Sequence, residues 1–191
     1  MLTVYIDFKS IPSFLALQPT LRLIAEHPVS TRWLPFRTRE RELPGSGARR
    51  EPVLRHKQIR DAYYQGINRH HAALRGISLA QRGKEGQTDT ALNALLGIEG
   101  NPLRFIEACY SAYWTHDADL NSMETVRELL GNSGVGYRGP GLDDFQQLDA
   151  HQAQAEATGV IDAPTFVVSD QVFWGREHLP WIKELLTQLT D

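Results

Sequence analysis

The chemistry of this chain is concentrated in two short stretches. The first is Asp7-Phe8-Lys9-Ser10-Ile11-Pro12-Ser13, where an apolar strand pattern gives way to a helical one. A serine at such a junction caps the helix, and its hydroxyl together with the unpaired N–H groups of the first turn favours an anion. The second is Gly159 to Leu179, in which Pro164 stands at the mouth of the apolar run Thr165-Phe166-Val167-Val168. Proline has no N–H for a sheet ladder, so it must start this strand or turn into it. A trans Ala163–Pro164 bond would only start the strand. A cis bond would turn the N–H and C=O of Ala163 toward solvent, ready to pair with an extended, peptide-like ligand.

Cysteine usage narrows the chemistry further. Cys109 is the only cysteine, so no internal disulfide forms and a two-cysteine exchange mechanism is excluded. It falls on an apolar stripe with Phe105, Ile106 and Tyr113, which reads as a buried structural thiol. His70 and His71 are adjacent and diverge on a helix, and no metal-ligand spacing occurs; no metal is expected. There is no glycine-rich phosphate loop and no Gly-x-Ser-x-Gly elbow.

The elements that position these residues follow from periodicity. Val4 to Phe8 reads as a strand, Pro12 opens an amphipathic helix through Ile24, and Val29 to Phe36 reads as a second strand, which makes the N-terminal portion βαβ. Ser169-Asp170-Gln171 is a turn between Thr165–Val168 and Val172-Phe173-Trp174; Gly175 breaks the pattern and a closing helix begins near Glu177. Between these ends lie a Gly/Pro-containing loop around Pro44-Gly45-Ser46-Gly47, helix-like segments, and helices over Leu103–Trp114, Met123–Leu130 and Leu142–Ala157. The expected fold is α/β, with residues 1–36 and 158–191 forming one discontinuous domain and residues 37–157 a helical insertion.

The total charge of −3 conceals an asymmetry. From Arg32 to Lys84 there are thirteen Lys and Arg against four acids, an excess of +9 that leaves −12 elsewhere. A basic segment beside an acidic body raises the local concentration of an anionic small molecule, although a solvated surface would account for it equally. The cations are scattered among apolar residues without a recognition motif, so nucleic acid is not expected. No apolar run approaches the roughly 20 residues of a membrane span, and the start lacks the features of a signal peptide. These features lead us to expect a cytoplasmic protein.

Gly-Val-Ile-Asp-Ala-Pro-Thr-Phe-Val-Val and Phe-Trp-Gly-Arg-Glu-His-Leu, with Asp-Phe-Lys-Ser at the first junction, resemble the DsbA-like thioredoxin superfamily. The likeness is to its branch of 2-hydroxychromene-2-carboxylate isomerases and kappa-class glutathione transferases. That resemblance implies a thioredoxin-like fold (βαβ…ββα) with a large helical insertion and a cis bond before Pro164. It implies glutathione as cofactor, Ser10 as the catalytic residue at its sulfur, and Ala163, Pro164, Trp174, Glu177 and Thr90 as its binding residues. A small anionic aromatic substrate, held under the basic segment, and a homodimer are also implied.

Thr88-Asp89-Thr90 matches the start of a helix in that family, so Asp89 or Thr90 is expected as its cap. Two departures matter. Ile11 intervenes where the family reads Ser-Pro, which leaves Ser13 as a second candidate donor, and Glu177-His178 stands where an Asp-Arg pair is usual. Tyr63, Tyr64 and Trp114 are candidates for an aromatic pocket or for the core. The alternative reading is a non-catalytic DsbA-like protein without redox cysteines that binds peptides or a protein partner.

Overall fold

The computed structural model describes residues 1–39, 50–78 and 86–189. They form two compact units, Met1–Thr38 with Ala80–Asp191, and Arg39–Leu79. The expected loop around Pro44-Gly45-Ser46-Gly47, and Glu40, Arg41, Glu42, Arg49, Arg82 and Lys84 of the basic stretch, lie outside the described residues.

The larger unit is built on a mixed sheet ordered β2-β1-β5-β6, from β1 (Leu2–Ile6), β2 (Thr31–Pro35), β5 (Thr165–Val168) and β6 (Gln171–Trp174). β1 runs parallel to β2 and antiparallel to β5, and β5 is antiparallel to β6. Parallel β1 and β2 require a crossover, supplied by α1 (Ile11–Glu26). Pro35 is tolerated because β2 is an edge strand. The β5–β6 hairpin turns on Ser169 and Asp170, both at positive φ, the geometry that matches the twist of a two-residue hairpin.

Alternation along β1 decides what each face meets. Leu2, Val4 and Ile6 are all buried on one face. On the other, Tyr5 packs with Phe36 and stacks on His151 at 6.0 Å. Between the two ends of the sheet come α3 (Asp89–Leu96), α4 (Leu103–Thr115), α5 (Met123–Ser133) and α6 (Gln146–Ala157), with a small sheet of β3 (Ile98–Glu99) and β4 (Gly136–Tyr137). The 3-10 turn Arg176–His178 and α7 (Leu179–Gln188) close the chain. Helices α3 to α6, which the sequence reading assigns to the insertion, share the sheet's compact unit.

α6 begins four residues later than its apolar pattern suggests. Buried Asn93 of α3 donates its amide to the carbonyls of Gly141, Leu142 and Asp144, which holds that segment as a loop. β1 likewise ends at Ile6, because the chain turns as Ser10 N–H donates to Asp7 O at 3.2 Å.

In the smaller unit, α2 (Arg50–Ala73) ends in a turn through Gly76 at φ +64°, with the Gly76 and Ile77 N–H groups donating to Ala73 and Ala72. Tyr63 and Tyr64 of α2 are exposed and meet edge to face, so they belong to no core. No helix among the described residues is long and apolar enough to cross a membrane.

Candidate functional site

The β1–α1 loop carries Ser10, and its shape is held from several sides. Beneath it, Phe8 packs edge to face on Phe105 and Tyr110 of α4, while Phe14 stacks on Tyr110 and Trp114. Trp114 Nε1 donates to Phe8 O at 2.9 Å and Tyr110 Oη to Asp7 O at 3.3 Å. Trp114 therefore anchors the loop from below.

Asp7 is the residue that sequence reasoning missed. It is fully buried, and its carboxylate accepts from Lys9 N–H at 3.1 Å and Thr88 Oγ1 at 3.0 Å on Oδ1, and from Thr38 N–H at 2.8 Å and Thr38 Oγ1 at 2.7 Å on Oδ2. Burial pushes its carboxyl above the ordinary value, against the opposing pull of the Thr38 hydrogen bonds and of Lys9. An acid closing a strand just before a helix cap was the available signal. Besides Lys9, its partners lie 31 and 81 residues away, which no local pattern reveals.

Ser10 is the N-cap of α1, with extended backbone at φ −82°, ψ 110°. Ile11 is the first helical residue and Pro12 the second, so the intervening isoleucine leaves the cap geometry intact. Ser10 Oγ accepts from Ser13 N–H at 3.3 Å and donates to Ala163 O at 2.9 Å. Ser13 is not the alternative donor: its Oγ faces inward and accepts from Asp7 N–H at 3.5 Å.

The Ala163–Pro164 peptide is cis. Ala163 is 3% exposed, its N–H donates to Asp162 Oδ1 at 2.8 Å and its carbonyl is met by Ser10. Both groups expected to face solvent are engaged within the protein. Gly175 N–H donates to Pro164 O at 2.9 Å, and at φ +96° Gly175 occupies backbone space that favours glycine. Glu177 folds back over it, so that a Cβ on Gly175 would stand 2.4 Å from a Glu177 carboxylate oxygen. The exposed Trp174 is paired with Thr165, next to Pro164.

Ser10, Ala163, Pro164, Trp174 and Glu177 thus share one end of the sheet. Thr90 is not among them. It is buried, and its hydroxyl donates to the carbonyl of Asn121 at 3.0 Å. The N-cap position of α3 belongs to Thr88, not to Asp89 or Thr90, and the Thr88 hydroxyl goes to Asp7 rather than to the cap. Asp89 instead pairs with Arg37, whose Nε lies 3.1 Å from Asp89 Oδ2 off the line of a hydrogen bond, while its guanidinium also meets Asp149. Cys109 is buried, and desolvation holds its thiol well above the usual value. The described residues contain no group of three or more His, Cys, Asp or Glu that could hold a metal ion.

This junction, a capped helix mouth opposite a cis-proline on a β2-β1-β5-β6 sheet, has a known counterpart. Residues 1–187 match the DSBA-like thioredoxin domain. The chain belongs to that family. No curated protein sequence matches it. A selenomethionine structure of 2-hydroxychromene-2-carboxylate isomerase is similar in fold, with TM-score 0.70 and 17% identity over 99% of this chain and 95% of that one. A probable DsbA oxidoreductase from Streptomyces coelicolor gives TM-score 0.65 and 16% identity, covering 98% of this chain and 88% of that one. The cytosolic disulfide reductase DsbM from Pseudomonas aeruginosa, solved with GSH, gives 0.62 and 17%, covering 100% and 99%. At such identities these likenesses establish the DSBA-like fold, and the chemistry has to come from the residues.

The donor set can be tested against glutathione. Among the described residues Glu177 is exposed and in no ion pair, which suits an α-ammonium. The mouth of α1 presents backbone N–H groups suited to a sulfur anion, while the Ser10 hydroxyl is given to Ala163 O. Backbone pairing at Ala163 requires Asp162 to release the Ala163 N–H and Ser10 to share the Ala163 carbonyl. The residues fit, with those two adjustments.

Proposed function

We propose that this DSBA-like protein is a glutathione-dependent isomerase, with a glutathione transferase as the nearest variant, acting on an aromatic-derived carboxylated compound. One observation carries the reading. At the helix mouth where thiol–disulfide chemistry requires a cysteine pair, the chain has Ser10, hydrogen-bonded at 2.9 Å to the residue before a cis-proline. A site built to hold sulfur chemistry without a sulfur of its own suits a thiol brought by the ligand.

When bound, glutathione would supply the nucleophilic thiol that this helix mouth lacks. The chain's part is to hold and orient. The positive end of the α1 dipole favours an anion beside Ser10. Glu177 pairs with an ammonium, the exposed Trp174 lines the rim, and the Ala163 backbone is the pairing edge once Asp162 releases its N–H. The cations of the segment from Arg32 to Lys84 draw in an anionic substrate. A homodimer completes this reading. The glutathione part of the reading, not the dimer, is supported by the fold likeness to 2-hydroxychromene-2-carboxylate isomerase and by a fold relative solved with GSH.

A second reading is a non-catalytic protein that binds an extended peptide. Its support is that β6 is an edge strand with Val172 and Trp174 exposed beside the cis-proline. Calorimetric titration with glutathione separates the two. Binding that weakens in Ser10→Ala and Glu177→Ala supports the first; no heat at millimolar glutathione rules it out and leaves the second.

A further inference from the structure

The hydrogen bonds at the mouth of α1 can be assigned donor by donor. Ser10 N–H donates to Asp7 O at 3.2 Å, Ser13 N–H to Ser10 Oγ at 3.3 Å and Phe14 N–H to Ser10 O at 3.0 Å. Pro12 has no N–H. Ile11 is the residue left over: among the described residues its N–H donates to no protein acceptor. First-turn N–H groups point out of the helix end, the end at which Ser10 meets Ala163.

The Ser10 hydroxyl is committed in both directions. It has one proton, which goes to Ala163 O at 2.9 Å, and it accepts from Ser13. Ser10 is 9% exposed and Ala163 3%. Turning that proton toward a ligand would strand a buried carbonyl, whereas the Ile11 N–H can be used without breaking any bond of the protein.

Resting on the glutathione reading above, we infer that Ser10 is a positioning residue and that the donor facing a bound sulfur is the backbone N–H of Ile11. Ser10 clips the mouth of α1 to the cis-proline segment, 153 residues away in sequence. The order Ser-Ile-Pro is what makes this arrangement possible, because a Ser-Pro order would put a residue without an N–H at the first helical position. The departure that separates this chain from the pattern it resembles thus adds a donor.

Charged and titratable groups near the helix mouth are Asp7 and Lys9 on the same loop, Tyr110 on α4, Asp162 beside Ala163, and Arg176, Glu177 and His178 in the 3-10 turn that packs on α1. All of them are kept in the variants below, so their influence on a bound thiol stays common to the set.

The test is the acidity of bound glutathione, followed by ultraviolet thiolate absorbance against pH, in wild type, Ile11→Pro, Ile11→Ala, Ser10→Ala and Ser10→Thr. Proline is favoured at the first helical position, and Ser10 is already extended as a residue before proline must be, so Ile11→Pro removes the N–H with little other change. We expect Ile11→Pro to raise the bound thiol's pKa by about one unit, a tenfold loss of acidity. Ile11→Ala leaves it unmoved. Ser10→Ala weakens glutathione affinity while shifting the thiol less than Ile11→Pro does, and Ser10→Thr restores the affinity.

A Ser10→Ala shift equal to or larger than that of Ile11→Pro overturns the inference and returns the donor role to the hydroxyl. Should Ile11→Pro not fold, Ser10→Ala decides alone: a shift near a full unit overturns the inference, and a smaller one supports it. Wild-type protein that binds no glutathione overturns the functional reading as well, whereas binding with the wrong order of shifts overturns only this assignment.

Discussion

Thr38 gives the Asp7 carboxylate two hydrogen bonds, from its backbone N–H at 2.8 Å and its hydroxyl at 2.7 Å, and so ties the exit of β2 to the loop that carries Ser10. Lys9 N–H and Thr88 Oγ1 take the other oxygen, which means that each oxygen faces one backbone N–H. A hydroxyl can reverse its proton; a backbone N–H cannot.

Asp7→Asn therefore sets its amide against an N–H in either orientation. We expect a loss of about 2–3 kcal/mol in urea denaturation near neutral pH, from a buried donor left without an acceptor. The wild-type carboxyl is raised in the folded state, so its contribution is full below the ordinary carboxylate range and is lost as pH rises through the raised folded value. The variant lacks that component, and its urea midpoints measured across acidic pH should not show it.

His151 behaves in the opposite sense. Burial, followed by the charge of Arg32, lowers its pKa from the ordinary 6.5, with a hydrogen bond to Pro35 opposing. A depressed folded pKa gives a contribution that is present above the unfolded value and lost as pH falls below it. Thermal midpoints of the wild type should drop as pH is lowered from 7 through the histidine range, and His151→Phe, which keeps the ring against Tyr5, should flatten that segment.

Cys109 should not react with a thiol reagent in the native protein and should react fully in denaturant, because its thiol is buried and its pKa is pushed well above the usual value. Cys109→Ala should leave glutathione binding within about twofold of wild type, since Cys109 is buried and the α4 groups that hold the Ser10 loop are Tyr110 and Trp114. A larger loss of affinity would contradict the placement.

Gly175→Ala tests the rim. The residue has φ +96° and ψ 150°, a region that side chains avoid, and the new Cβ would collide with the Glu177 carboxylate. We expect a stability loss of about 1–3 kcal/mol by chemical denaturation, together with weaker glutathione binding as Glu177 is displaced. Unchanged binding would show that the Glu177 position is immaterial.

What the sequence determined by itself was whatever depends on neighbours in the chain. The βαβ start, the β5–β6 hairpin with its Ser169-Asp170 turn, the closing helix and the α4 and α5 helices all follow from periodicity and turn chemistry. The absence of a cysteine pair is likewise absolute, whatever the fold. Tertiary structure decided which of these pieces meet. Thr90 matched a motif yet its hydroxyl bonds Asn121, whereas Thr88 reaches Asp7 across 81 residues. The start of α6 moved because Asn93, on another helix, holds the carbonyls of the preceding loop. Above all, Ser10 was legible as a helix cap, but the direction of its proton was not. That depends on a carbonyl 153 residues away being buried with no other donor to meet it among the described residues, and so the hydroxyl reads as a clip.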